Sequence, residues 1–383
     1  MKKAGFAVAA LAAAAVSLAG PYDVSTLWKS GDGGNAVYRI PALCTTPGGT
    51  LVAVCDARRD NGGDLDWFQP IRTSVRLSDD GGATWSPAKY TWDWPWDDNT
   101  RLSASDPSLI CDAKRGKLHL FINVWDWNAT PSNGGRGDGI YRFFVQESSD
   151  GGKTWGKPRE ISQSLAFSGW NFGGKRSEGG LIFVTSGSGI ATSSGTLLHT
   201  LANASTGANA IFGSEDGGVT WKTFGAPVAP GDECKVVELP SGMLQVNSRW
   251  RGGGRQIHET TDGGRTWTSR YDAALQDPQC NGQIMRYGDS LLFSNCKSPT
   301  RRALLHLRAS VDGGRTWSEG LCIEPHGAAY SDMAILPDGS VAVLYEGAGY
   351  ATIRCARIPK EKIMEEIARA PKPAPVPAAA PAR

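Results

Sequence analysis

The sequence predicts an all-β fold, a six-bladed β-propeller whose blades are closed by tight turns. Three observations predict it. An octet of the pattern Ser/Thr-x-Asp-Gly-Gly-x-Thr-Trp occurs five times in 383 residues. Glycine is abundant, at 48 residues, as many positive-φ turns between short strands require. Segments that alternate in polarity, such as Thr73-Ser74-Val75-Arg76-Leu77 and Tyr141-Arg142-Phe143-Phe144-Val145, flank the octets as strands would.

The octets organise the chain. They span Ser78–Trp85, Ser148–Trp155, Ser214–Trp221, Thr260–Trp267 and Ser310–Trp317. In each, the Asp carboxylate is expected to accept backbone N–H groups two residues on and so close the turn. The Gly pair supplies positive φ, and the Trp folds back as an apolar plug. Asp80, Asp150, Asp216, Asp262 and Asp312 stand 46 to 70 residues apart, the spacing of one four-stranded blade per repeat. The stretch from Tyr22 to Ile358 then divides into about six blades. The blade without an octet is expected to join N- and C-terminal strands and close the ring. These five aspartates read as turn residues, neither catalytic nor calcium ligands.

The flanks differ from the ring. Lys2 and Lys3 precede an apolar, Ala-rich run from Phe6 to Leu18, followed by the small Ala19-Gly20. Residues 1–20 therefore read as a signal peptide, too short to span a bilayer and pointing to a secreted, periplasmic or cell-surface protein. Residues 21–358 form the expected propeller. In 359–383, Lys360 to Ala370 reads as a short amphipathic helix and Pro371 to Arg383 as a Pro/Ala-rich disordered tail.

Composition narrows the partners. Lys plus Arg number 40 against 38 Asp plus Glu, a net charge of +2. This lacks the basic excess of a nucleic-acid binder. An anionic small substrate needs only a few local cations. The eight cysteines include no C-x-x-C and no Cys/His cluster, so no metal site is expected. No cofactor is expected either. Cys44/Cys55 and Cys280/Cys296 each flank an apparent hairpin turn, as disulfide partners or as buried thiols.

Tyr38-Arg39-Ile40-Pro41, followed by the five octets, resembles the Phe/Tyr-Arg-Ile-Pro motif and Asp-boxes of the sialidases, glycoside hydrolase family 33. The resemblance runs from Tyr38 to about Ile358 and implies further site residues in order. Arg39 would open a triad of arginines that binds the substrate carboxylate. Within Asp56-Ala57-Arg58-Arg59 and Asn61-Gly62-Gly63-Asp64-Leu65-Asp66, Arg58 would lie near the sugar. Asp64, 25 residues after Arg39, would be the acid/base, with Asp60 and Asp66 as neighbouring alternatives. Asp106 in Ser105-Asp106-Pro107-Ser108 would contact the sugar rim, or simply turn the chain. Trp125 and Trp127 would line an N-acetyl pocket or pack as apolar side chains.

Later in the chain, Glu233 and Arg249 stand sixteen residues apart across a Pro240-Ser241-Gly242 turn. They match the family's catalytic Glu and second triad Arg, with Arg251 and Arg255 peripheral and Glu238 on a blade surface. The third Arg is Arg301 or Arg302. Successive strand residues face opposite ways, so one of the two faces the site, and the residues that follow favour Arg302. Tyr330 and Glu346, also sixteen apart, match the nucleophile and the Glu that holds Arg39.

The chemistry suits these residue types. Guanidinium groups pair carboxylates bidentately and stay charged. A phenol avoids the repulsion a carboxylate nucleophile would meet at a carbon already bearing a carboxylate, but it needs a base. The resemblance implies an exo-α-sialidase acting on glycoproteins, gangliosides or sialyl-oligosaccharides, retaining through a sialyl-tyrosine. A trans-sialidase or intramolecular trans-sialidase would share these residues. A non-catalytic glycan-binding propeller would keep the octets and lose the Arg triad or the Tyr/Glu pair.

Overall fold

The structure, a computed structural model, describes residues 22–65, 67–97, 100–127 and 139–372. The leader, Asp66 and residues 373–383 of the expected tail lie outside the described residues.

The described chain forms an all-β, propeller-like ring of antiparallel sheets laid down in chain order. The first sheet holds Val37–Thr45, Leu51–Arg58, Ile71–Ser78 and Lys89–Tyr90. The second holds Leu102–Asp112, Lys117–Asp126, Tyr141–Ser148 and Arg159–Glu160, with Gly187–Ser188 added in parallel at the Leu102–Asp112 edge. Ile182–Val184, Leu197–Asn203, Ala208–Ser214 and Lys222–Val228 make the third, and Cys234–Glu238, Leu244–Arg249, Arg255–Thr260 and Thr268–Asp272 the fourth.

The last sheet has seven strands. Its 15-residue strand Leu321–Ile335 pairs with Ala303–Ser310 through its first half and with Val341–Gly347 through its second. At one edge Asp23–Lys29 pairs with Thr352–Ile358, so N- and C-terminal strands share a sheet. The ring closes where Val37–Thr45 packs between Leu102–Asp112 and Leu321–Ile335. The middle strands are sandwiched between neighbouring sheets. Leu51–Arg58, Leu197–Asn203 and Val341–Gly347 are buried at every residue, which is why their sequences are apolar or uncharged almost throughout. Between the second and third sheets, Phe121, Phe143, Phe212 and Trp221 interlock in one core cluster.

All five octets adopt one turn. The leading Ser or Thr hydroxyl donates to Asp Oδ1 at 2.7–2.9 Å and accepts the N–H of the second Gly. The Asp also accepts the N–H and hydroxyl of the Thr four residues on, not the N–H two residues on. The Gly pair lets the backbone pass through positive φ twice, as at Gly151 (75°) and Gly152 (87°). Of the five Trp residues, Trp221 is fully buried and the others are partly so. Each octet follows the third strand of a set, so all five lie at one rim.

The helix Lys360–Arg369 packs against Ala303–Ser310 and buries Ile363 and Glu366, whose Oε1 accepts the Gly320 N–H at 2.8 Å. Among the described residues no helix is long and apolar enough to cross a membrane. Cys44 and Cys55 do not face one another. Cys44 pairs with Val52 and Cys55 with Ser74, and the two side chains enter different core clusters. Cys280 and Cys296 share a cluster.

Candidate active site

The rim opposite the octets is where first strands begin and second strands end. There the ladders break. Register shifts fall between Arg39 and Ala42, Ser105 and Ser108, Ala303 and Leu305, and Ala328 and Ser331. Such bulges re-aim a side chain out of its strand's alternation. Three of them hold a non-glycine at positive φ: Ile40 (59°), Asp106 (54°) and Leu304 (59°). For β-branched Ile40 that costs on the order of 1–3 kcal/mol. The surroundings hold it there: Glu346 Oε1 accepts the Ile40 N–H at 2.9 Å, and Oε2 accepts the Tyr330 N–H at 3.2 Å. One fully buried carboxylate thus locks two bulges in place.

These bulges bring together residues from across the chain. Arg39 Nε donates to Glu346 Oε1 at 2.5 Å. Tyr330 Oη donates to Glu233, 2.8 and 2.6 Å from its two oxygens. Arg249 Nη1 reaches Glu233 Oε2 at 2.6 Å and Tyr330 Oη at 3.0 Å. The guanidinium carbons of Arg39 and Arg302 stand 5.8 and 5.4 Å from the Tyr330 ring centre. Arg302 is further held by Tyr350 Oη at 3.2 Å and the Gln279 carbonyl at 2.9 Å. Arg301 and Arg302 both precede the strand Ala303–Ser310, so strand alternation does not act on them; Arg301 is exposed, and Arg302 is the one beside Tyr330. Burial, and then the Glu233 carboxylate, push the Tyr330 phenol well above the usual tyrosine range, against the pull of Arg249 and Arg302. The phenol therefore stays protonated until a base removes its proton.

Above this group lies a cavity of about 260 Å³, lined by Asp64, Asp106, Glu233, Arg249 and Tyr330 and by the apolar Leu65, Tyr141, Leu181 and Phe183. Asp64 is 68% exposed at its mouth. Asp106 lines the same cavity, its N–H donating to Asp56 Oδ1 at 3.1 Å. Burial, with Asp56 and Glu233 adding to it, pushes the Asp106 carboxyl well up.

Several expectations change in detail. Arg58, expected beside the sugar, is fully buried. Its guanidinium bonds Asp56 Oδ2, the carbonyls of Gly62 and Gly63, and Asp64 Oδ1 at 2.9 Å. Arg58 thus holds the carboxylate that stands at the cavity mouth. Asp60 pairs outward with Arg59. Trp125 and Trp127 are buried core residues, and the cavity's aromatic wall is Tyr141 and Phe183. Arg255 does not line the cavity. It lies fully buried, bonded to Asn247 Oδ1 at 2.7 Å and Asp277 Oδ2 at 3.1 Å. Glu238 accepts from the Ser193 N–H and hydroxyl, beside a larger cavity of about 540 Å³ that opens among the far ends of the first strands. That cavity contains none of the residues gathered around Tyr330.

The sequence read Asp106 and the Tyr/Glu pair by resemblance. It gave no signal for the cavity wall, whose residues come from three separate strands or loops.

Comparisons with known proteins agree with this picture. Residues 49–343 match the BNR repeat-like domain family. A sialidase of Micromonospora viridifaciens is 32% identical over 362 residues, covering 88% of this chain and 54% of that protein. A sialidase of Bacteroides fragilis is 29% identical over 349 residues, covering 83% of this chain and 61% of that protein. The chain thus spans little more than half the length of these two relatives. A solved Hadza microbial sialidase superposes with a TM-score of 0.76 at 26% identity, over 87% of this chain and 67% of that one. A Trypanosoma rangeli sialidase has the same fold, with a TM-score of 0.69 at 22% identity over 86% and 56%. The chain belongs to the BNR repeat-like domain family.

Proposed function

We propose that this protein is an exo-α-sialidase that hydrolyses terminal sialic acid from glycans with retention, through a sialyl-tyrosine intermediate. The observation that carries the reading is the Tyr330 hydroxyl hydrogen-bonded to Glu233 at 2.6 Å, with three arginines gathered about its ring and oxygen.

The substrate carboxylate binds Arg39, Arg249 and Arg302, whose charge is retained at any working pH. Glu346 holds Arg39 in place. Glu233 takes the phenol proton as Tyr330 Oη attacks the anomeric carbon. The bond to the glycosidic oxygen breaks, and Asp64 protonates that oxygen. Asp64 then takes a proton from water, whose oxygen attacks the same carbon. The tyrosyl bond breaks, and Glu233 returns the proton to Tyr330. Sialidases differ from most retaining glycosidases in this use of tyrosine. Asp106 faces the ring hydroxyls. The substrates are sialylated glycoproteins, gangliosides or oligosaccharides.

The same reading counts six blades. The seven-stranded sheet divides at the midpoint of Leu321–Ile335 into two four-stranded sets that share that strand. The chain is also proposed to be exported, on the composition of residues 1–20. N-terminal sequencing of protein from the culture medium or periplasm tests that.

The test of the reaction is turnover of a fluorogenic sialoside by Tyr330→Phe, with the released sugar identified by NMR. Loss of about 10²-fold or more in kcat, with an unchanged melting curve, is expected for removal of a group taking part in proton transfer and covalent catalysis. A folded Tyr330→Phe enzyme with full turnover would overturn the nucleophile. A 2,7-anhydro product would replace hydrolysis by intramolecular transfer.

A further inference from the structure

Beneath Tyr330 lie two cysteines that the reaction does not use. Cys280 and Cys296 are fully buried and pack in one cluster with Ile40, Ala329 and Tyr330. Both are free thiols in this structure, and the neighbouring Cys280 thiol, together with burial, pushes the Cys296 thiol up. The Cys296 thiol also reaches the carbonyls of Ala328 at 3.2 Å and Ala329 at 3.7 Å, inside the bulge that aims Tyr330. Cys280 belongs to a different segment. Its N–H donates to Asp277 Oδ1 at 2.8 Å, and its carbonyl accepts from buried Arg255 at 2.8 Å. The neighbouring Gln279, at a positive φ of 57°, turns its carbonyl to Arg302 Nη2 at 2.9 Å. One cysteine therefore backs the tyrosine, and the other sits in the segment that holds the third arginine.

We propose that Cys280 and Cys296 are joined by a disulfide as the chain folds, tying the segment that holds Arg302 to the strand end that supports Tyr330. The oxidant is an external disulfide of the glutathione class. A thiolate of the pair attacks it and forms a mixed disulfide. The second thiolate displaces the external thiol, so two protein thiols become one disulfide and the external disulfide becomes two thiols. The exchange belongs to folding, because a thiol buried in the finished ring is protonated and shielded from attack. The bridge closes a loop of 17 residues, counted from 280 to 296 inclusive. It fixes a strained backbone position, Gln279, that a single carbonyl hydrogen bond otherwise links to Arg302.

The experiment uses the full chain, denatured and reduced, then refolded either with oxidised glutathione or with dithiothreitol. Each sample is denatured, alkylated without reduction, digested and mapped by mass spectrometry. The glutathione sample is expected to yield a Cys280–Cys296 linked peptide, lighter than the two unlinked peptides together by two hydrogens. Its melting temperature is expected to exceed that of the dithiothreitol sample by about 2–5 °C. The paired variant Cys280→Ser, Cys296→Ser is expected to melt alike from both buffers. Alkylation of both cysteines in the glutathione sample, or linkage of Cys280 to any other cysteine, would overturn the proposal. If the paired variant does not fold, the peptide map of the unaltered chain still decides. None of these readouts is turnover, so failure here and failure of the sialidase reading are separate results.

Discussion

At the octet rim, Asp80, Asp150, Asp216 and Asp262 stand at the surface with their carboxyls held down to about 2 by the Thr hydroxyl and N–H and by the leading Ser or Thr. At the opposite rim, burial pushes Asp56 and Asp106 up, and Asp106 is raised further by the neighbouring carboxylates. The difference lies in where the partners come from. Each octet aspartate finds its partners within four residues. Arg39 meets Glu346 across 307 residues of chain, and Tyr330 meets Glu233 across 97. The octet is a self-sufficient turn, whereas the site exists only once the ring has closed. Perturbation at one rim should therefore change stability, and at the other chemistry.

The largest effect expected is from Glu233→Gln, which leaves Tyr330 without its base and should lower kcat by about 10²–10⁴-fold. Its counterpart at the octet rim, Asp150→Ala, should leave kcat and KM as they are. Steady-state kinetics on the two variants side by side break the comparison if Asp150→Ala loses turnover on the scale of Glu233→Gln. A smaller effect sharpens the choice among arginines. Arg302→Lys keeps a charge but loses the planar fork, and should raise KM about tenfold. Arg301→Lys, at an exposed position, should change nothing. Equal effects from the two would mean that Arg302 is not the arginine singled out for the substrate. Smaller again is the stability effect at the octets. Asp150→Ala removes the acceptor of three hydrogen bonds and should lower the melting temperature by about 2–4 °C.

The same contrast explains what the sequence made legible. An octet closes its hydrogen bonds inside itself, so its pattern alone reports the turn, and five copies report a repeated sheet. The site residues Arg39, Glu233, Arg249, Arg302, Tyr330 and Glu346 carry no local pattern that explains their meeting. They could be picked out only because their order resembles a known family. Arg58 shows the limit of that route. Its place in the order suggested a part in the site, but gave no sign that the carbonyls of Gly62 and Gly63 and the buried Asp56 would also hold its guanidinium. Tyr141 and Phe183 reach the cavity from strands of two different sheets, and Arg255 is buried by a segment more than twenty residues downstream. Such placements depend on how sheets pack, which neither periodicity nor turn chemistry encodes. The same holds for Cys44 and Cys55, whose facing strands are offset enough to send them into different cores.

The two kinds of aspartate also predict opposite responses of stability to acid. Asp332 lies two residues past Tyr330, fully buried, accepting the Leu43 N–H at 2.8 Å and the Ser188 hydroxyl at 2.6 Å. Burial raises it to about 6, against those hydrogen bonds and the nearby Lys235. Lys235 is held down to about 8 by burial and so stays charged below neutral pH. A carboxyl raised in the folded state takes up its proton more readily there than in the unfolded chain, where it titrates near 4. Its contribution to stability is therefore complete below about pH 4 and lost as pH rises through 6. The octet carboxyls, depressed to about 2, contribute above pH 4 and lose that contribution as pH falls from about 4 towards 2. Urea midpoints at pH 7, 5, 4 and 3 separate the two. From pH 7 to 4 the unaltered chain should gain on Asp332→Asn, whose side chain does not titrate. Below pH 4 it should lose part of its lead over Asp150→Ala. Gaps that move in the same direction for both variants would mean that the buried carboxyl is held ionised by Lys235, and that the two rims do not differ in the way their charges are stabilised.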